Sequence, residues 1–141
     1  MKKVILILIF IAPLTIFGQA EKHPVFKECD TVKAEKQEAC FYNQSRKVFF
    51  EEFKVPSVIE KENFKGTVNA VFLVTNKGDF QLIYVNSPYK DLKEEVSRVF
   101  KTFPKIKPAT YNNHAIEMRF VLPITFPLNG VIENNPSVKD V

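Results

Sequence analysis

The sequence has no tryptophan, only two histidines, two cysteines and four glycines in 141 residues. The histidines, His23 and His114, have no second ligand at the spacings metal sites use, so no metal centre is expected. Four scattered glycines leave no Gly-rich loop to cradle a phosphate. No Gly-x-Ser-x-Gly elbow accompanies any serine, which argues against a Ser-His-Asp hydrolase. The acid pairs Glu51-Glu52 and Glu94-Glu95 are adjacent, so each pair diverges around a helix and suits a solvated face rather than acid–base work. With no element of a reaction centre in place, the chain is expected not to be an enzyme and to need no cofactor.

A dominant charge is lacking too. The formal +4 includes Lys2 and Lys3; without them 18 Lys and Arg face 16 Asp and Glu. Lysines alternate with glutamates instead of forming a stripe, so nucleic acid is not an expected partner. Without tryptophan, aromatic burial rests on 14 phenylalanines. The length suits one domain with a core of its own.

One long apolar run is present, at the start. Lys2-Lys3 precedes Val4–Phe17, broken only by Pro13 and Thr15, and Gly18-Gln19-Ala20 places small residues at the −3 and −1 positions of a cleavage site. The run is shorter than the roughly 20 residues of a membrane-spanning helix. Residues 1–20 therefore read as a signal peptide, with an uncleaved anchor as the alternative, and export is expected. No Cys follows the run to carry a lipid.

Cys29 and Cys40 then lie in an oxidising compartment, where an even count points to a disulfide. Asp30–Ala39 has good helix propensity, with Asp30 as an N-cap candidate. A continuous helix would hold the two Cα atoms about 16 Å apart, against the roughly 4.4–6.8 Å of a disulfide. A bridge with a bent connection is favoured, worth about 3 kcal/mol in the chain-entropy picture. A catalytic thiol pair is the alternative, although redox pairs usually stand two residues apart.

Along the chain, Glu21–Glu28 reads as an extended lead-in. Asn43–Lys54 reads as a helix with Val48, Phe49 and Phe53 on one face. Phe41, Tyr42 and Phe50 broaden that face, and Pro56 ends the helix or starts a short turn toward Asn63. Asn43-Gln44-Ser45 matches a glycosylation sequon, a three-residue signal that is frequently accidental. Period-two runs at Thr67–Thr75 and Phe80–Asn86 flank Asn76-Lys77-Gly78-Asp79, where Gly78 supplies the positive φ of a tight connection. In the return strand Phe80, Leu82 and Tyr84 alternate with Gln81, Ile83 and Val85. Ser87-Pro88 reads as a helix start, with Asp91 as a competing cap. Leu92, Val96, Val99, Phe100 and Phe103 form one buried stripe, with Lys93, Glu94, Glu95, Arg98 and Lys101 on the solvent side and Pro104 as the stop. Lys105–His114 reads as a loop. In Ile116–Phe126, Ile116, Met118, Phe120, Leu122, Ile124 and Phe126 share a face. Pro123 places that last strand at an edge.

Lys65-Gly66-Thr67-Val68-Asn69-Ala70-Val71-Phe72 with Asn76-Lys77-Gly78-Asp79 resembles the hairpin of the TonB C-terminal domain. Phe103-Pro104-Lys105-Ile106-Lys107-Pro108-Ala109 is similar to the stretch after the helix of that family, and Val121-Leu122-Pro123-Ile124-Thr125-Phe126 to the closing strand of its Bacteroidetes-type energy transducers. Pro24-Val25-Phe26-Lys27-Glu28-Cys29 with Cys40-Phe41 fits their lead-in. The resemblance covers about residues 24–127.

It implies an α+β fold: a small antiparallel sheet of β-hairpin, helix and closing edge strand, with an upstream helix. The implied division is 21–40 as a lead-in with the disulfide loop, 41–127 as the TonB C-terminal-like domain and 128–141 as a flexible tail. It also implies a periplasmic location and a part in transmembrane transport. Here the domain would grip a segment of an outer-membrane TonB-dependent transporter by strand addition. The carried-over recognition edge is Glu117, Met118, Arg119, Phe120 and Val121. The 21 residues from Ala20 to Phe41 reach only about 70 Å when extended, so gripping is expected rather than force transmission. Alternatives are service in another envelope complex, or an edge-paired homodimer.

Overall fold

The structure, a computed structural model, describes residues 21–128. The signal-peptide reading of 1–20 and the tail beyond Leu128 lie outside the described residues. In chain order the elements are β1 (Glu21–Lys22), a 3-10 turn (Lys27–Cys29), α1 (Ala34–Glu52), α2 (Ser57–Lys61), β2 (Gly66–Val74), β3 (Phe80–Val85), α3 (Lys90–Phe100), β4 (Ala109–Tyr111), β5 (His114–Ile116) and β6 (Met118–Phe126). The fold is α+β with two antiparallel three-stranded sheets.

The main sheet has the order β3-β2-β6. Period-two alternation puts Val68, Ala70, Phe72 and Val74 of β2 on one face, beside Phe120, Leu122, Ile124 and Phe126 of β6, and all are buried. α1 and α3 cover this face: Phe41 meets Phe120 at 4.5 Å between ring centroids, and Phe100 meets Phe72 at 4.9 Å and Phe49 at 5.9 Å. Each buried phenylalanine contributes about 1.5–3 kcal/mol. On the opposite face Val71, Leu73, Val121 and Pro123 are only half-buried, and Thr67 and Thr125 are exposed with their hydroxyls 2.9 Å apart.

The hairpin turn is as expected, and Gly78 has φ +85°. The amides of Lys77 and Asp79 donate to Thr75 Oγ1, and the Gly78 amide donates to the Thr75 carbonyl. The Ile106 amide donates to the Gly78 carbonyl at 3.0 Å, so the chain after α3 closes over the turn. The return strand departs from simple alternation. Its register slips opposite Val71/Phe72, leaving Ile83 as an extra residue. The bulge turns Val85 into the core and leaves Tyr84 54% exposed.

Helix boundaries differ from expectation. α1 begins nine residues earlier than Asn43, and its buried stripe is Phe41, Ser45 and Phe49, with Val48, Phe50 and Phe53 at its margin. It runs unbroken across the 40/41 boundary, and Phe26 and Cys29 sit in the core, so the lead-in is packed into the domain. Asp30 caps no helix: α1 is preceded by Lys33 without a side-chain cap, while the Asp30 carboxylate lies 2.6 Å from Lys107 Nζ. The bend at 30–33 lets bridge and helix coexist, and Cys29 and Cys40 are disulfide-bonded with Cα atoms 6.0 Å apart. α3 begins at Lys90; Ser87 Oγ accepts the Tyr89 amide one turn before it, and Pro88 lies outside the helix. The helix ends at Phe100, ahead of Pro104, because Lys101 and Thr102 close a tighter turn on the Ser97–Val99 carbonyls.

The segment expected as a loop, Lys105–His114, instead builds much of a second sheet of order β1-β4-β5. Asn112 and Asn113 have φ +48° and +65°, the two left-handed positions of a two-residue hairpin turn. The lead-in pairs with this ribbon through Glu21↔Tyr111 and Lys22↔Thr110, and through a bridge between Val25 and Lys107. Ile116 therefore ends β5 and does not begin β6.

Candidate functional site

Among the described residues the last strand has a ladder partner on one side only. β6 pairs with β2 over nine positions, from Gly66↔Phe126 to Val74↔Met118. The direction of its outer groups follows from β2. The Asn69 carbonyl accepts the Asn86 amide on the β3 side, so the backbone groups of Asn69 point away from β6. Its partner Pro123 consequently sits in a non-hydrogen-bonded pair, with its nitrogen on the outer border. By alternation Arg119, Val121 and Thr125 present amide and carbonyl outward, while Met118, Phe120 and Leu122 spend theirs on β2.

The five residues expected at the edge thus divide. Arg119 and Val121 offer the outward backbone groups. Met118 and Phe120 bond inward, and the Phe120 ring stacks in the core against Phe72 at 5.6 Å and against Tyr42 edge-on at 5.8 Å. Glu117 lies between β5 and β6, in neither ladder. Glu117 and Arg119 are both exposed, and neither takes part in an ion pair among those of the described residues. Pro123 removes one outward donor, which closes the usable edge after Val121. Burial against the core raises the Tyr42 phenol above its usual range, with Glu38 adding to the effect.

Elsewhere one cluster of charged groups is tied together. A cleft of about 350 Å³ between α3 and the chain after α1 is lined by Lys54, Pro56, Asp91, Glu94, Glu95 and Arg98. Its centre is a joint. Arg98 donates two bonds to Glu95, at 2.7 and 2.8 Å, and one to the Glu52 carbonyl at 2.6 Å. The Lys54 amide donates to Glu95 Oε1 at 2.8 Å. Glu95, expected on the solvent side, is only 16% exposed, and the Arg98 hydrogen bonds hold its carboxyl below the usual range. The sequon is built into α1: Ser45 is 1% exposed, and its hydroxyl has no partner among the described residues. Among the described residues no group of three His, Cys, Asp or Glu could hold a metal ion, and no helix is long and apolar enough to cross a membrane.

The β4–β5 ribbon was hidden because each strand has three residues, too few for a periodic signal. Asn112-Asn113 between Thr110-Tyr111 and His114-Ala115 was the cue that could have found it. Comparison with known proteins returned no match: no protein-family model, curated protein or solved structure corresponds to this chain.

Proposed function

We propose that this chain is a TonB-like periplasmic module that takes part in transmembrane transport. It grips an extended segment of an outer-membrane transporter by adding it as a strand to β6. The observation that carries the reading is the outer border of β6, where Arg119 and Val121 turn their amides and carbonyls away from β2 beside the Glu117 and Arg119 side chains, which form no ion pair among the described residues. Backbone bonds to such a border supply affinity and flanking charges supply selectivity. The reading needs no catalytic group and no cofactor. A leader at 1–20 that is cut after Ala20 fits a periplasmic binding role, and N-terminal sequencing of the mature protein checks it.

The test exploits the direction of the Arg119 amide. Arg119→Pro deletes an outward donor without touching the ladder to β2, so the domain should stay folded and lose binding to a transporter plug peptide. Unchanged affinity would sink the proposal. The same bare border also admits an edge-paired homodimer serving another envelope complex. Sedimentation at low concentration separates the two, because a tight dimer would occupy the edge.

A further inference from the structure

The main sheet has a second border, along β3, and it faces a groove. Phe80 pairs with Val74 and Leu82 with Phe72, at the positions that alternate with the Thr75–Asp79 and Leu73–Gln81 pairs that turn toward β2. The amides and carbonyls of Phe80 and Leu82 therefore point outward. Below them the chain covers the turn at Gly78, and above them the Val85 carbonyl is taken by the Ser87 amide. Between these stops lies a groove of about 240 Å³ lined by Phe80, Leu82, Phe100, Ser97 and Lys101. Its floor is aromatic and its α3 wall is polar.

We propose that this groove takes an acidic, extended peptide segment of a partner protein, which adds a short strand to β3 at Phe80–Leu82. Alternation in the added strand sends a central apolar side chain into the groove, beside Phe80, Leu82 and Phe100. Residues two positions before and after it point the same way, toward α3. There Lys93, Ser97 and Lys101 stand one turn apart. Lys93 and Lys101 are exposed and carry no ion pair among the described residues. Their separation along the helix is about 12 Å, close to the about 13 Å between residues four apart in a strand. Charge and spacing together select a peptide with carboxylates flanking an apolar centre. Its intervening residues would lie over the open face, where Ile83 and Tyr84 are 44% and 54% exposed.

The probe is the blocked peptide Thr-Glu-Val-Leu-Val-Asp-Thr, added to the purified full chain and followed by amide shifts and hydrogen exchange. Binding should shift and protect the amides of Phe80 and Leu82. Ser97→Trp, which fills the groove, should abolish it, and the surface double variant Lys93→Glu/Lys101→Glu should weaken it by about tenfold or more. The proposal is overturned if the peptide protects Arg119 and Val121 instead, if it gives no shifts, or if the lysine variant binds equally well. Protection of Phe80 and Leu82 that rises with protein concentration, without peptide, would assign the groove to a second copy and equally overturn it. None of these outcomes depends on whether Arg119→Pro affects the β6 border.

Discussion

Gly78 answers two separate demands. Its φ of +85° belongs to the left-handed region, which costs other residues about 1–2 kcal/mol. A Cβ there would also overlap the Ile106 carbonyl oxygen, which belongs to the chain that closes over the turn. The first demand is legible in Asn76-Lys77-Gly78-Asp79, because turn chemistry is local. The second is not, because Ile106 arrives from beyond α3. Gly78→Ala is accordingly expected to cost more than the conformational penalty alone, about 2 kcal/mol or more by urea denaturation. A loss under about 1 kcal/mol would mean the closing segment yields easily. Pro123 shows the same split: its type announces an edge, but only its partner Asn69 fixes that the missing donor faces outward.

Single elements show where periodicity is a sound guide and where it fails. Of the expected stripe, Leu92, Val96, Val99 and Phe100 are buried because helix geometry puts those positions on one side, whereas Phe103 lies past the end of α3 and is only half-buried. Glu95 lies between that stripe and solvent, and it is drawn in by Arg98 and by the Lys54 amide of another element. A pattern of apolar positions cannot register such a partner. Because Glu95 titrates below its unfolded value, its contribution is complete above about pH 4.3 and is lost as pH falls through the lowered folded value. Glu95→Gln should therefore lower stability near neutral pH and flatten the acid limb of a denaturation profile taken down to about pH 3. An unchanged limb would show that the joint is not formed in solution. In β3 one inserted residue, Ile83, exchanges the facings of Tyr84 and Val85, a local slip that strict alternation cannot foresee.

The molecule as a whole is tied at its start. The Cys29–Cys40 bridge fastens the turn after Phe26 to α1, and Phe26 packs on Phe41 and Phe80 at 5.7 and 5.8 Å. The lead-in then pairs with the ribbon that follows α3. Cys29→Ala/Cys40→Ala should lower stability by about 3 kcal/mol. Hydrogen exchange should open first at the Val25 and Lys107 amides, while the β2–β6 ladder stays protected. Simultaneous opening of both would show the lead-in to be integral to the sheet's stability, and not a separable strap.

The three strands of the main sheet, the hairpin turn, most of the α3 stripe and the choice of β6 as an edge strand were written in local chemistry: side-chain period, the flexibility of glycine and the missing donor of proline. They needed no knowledge of what lay across the core. The ribbon β1-β4-β5, the start of α1, the bulge in β3 and the directions of the Arg119, Val121, Phe80 and Leu82 amides came only with the assembled structure. Each depends on a hydrogen-bond or packing partner far away in the chain, and a one-dimensional pattern holds no record of which distant group a backbone amide will meet.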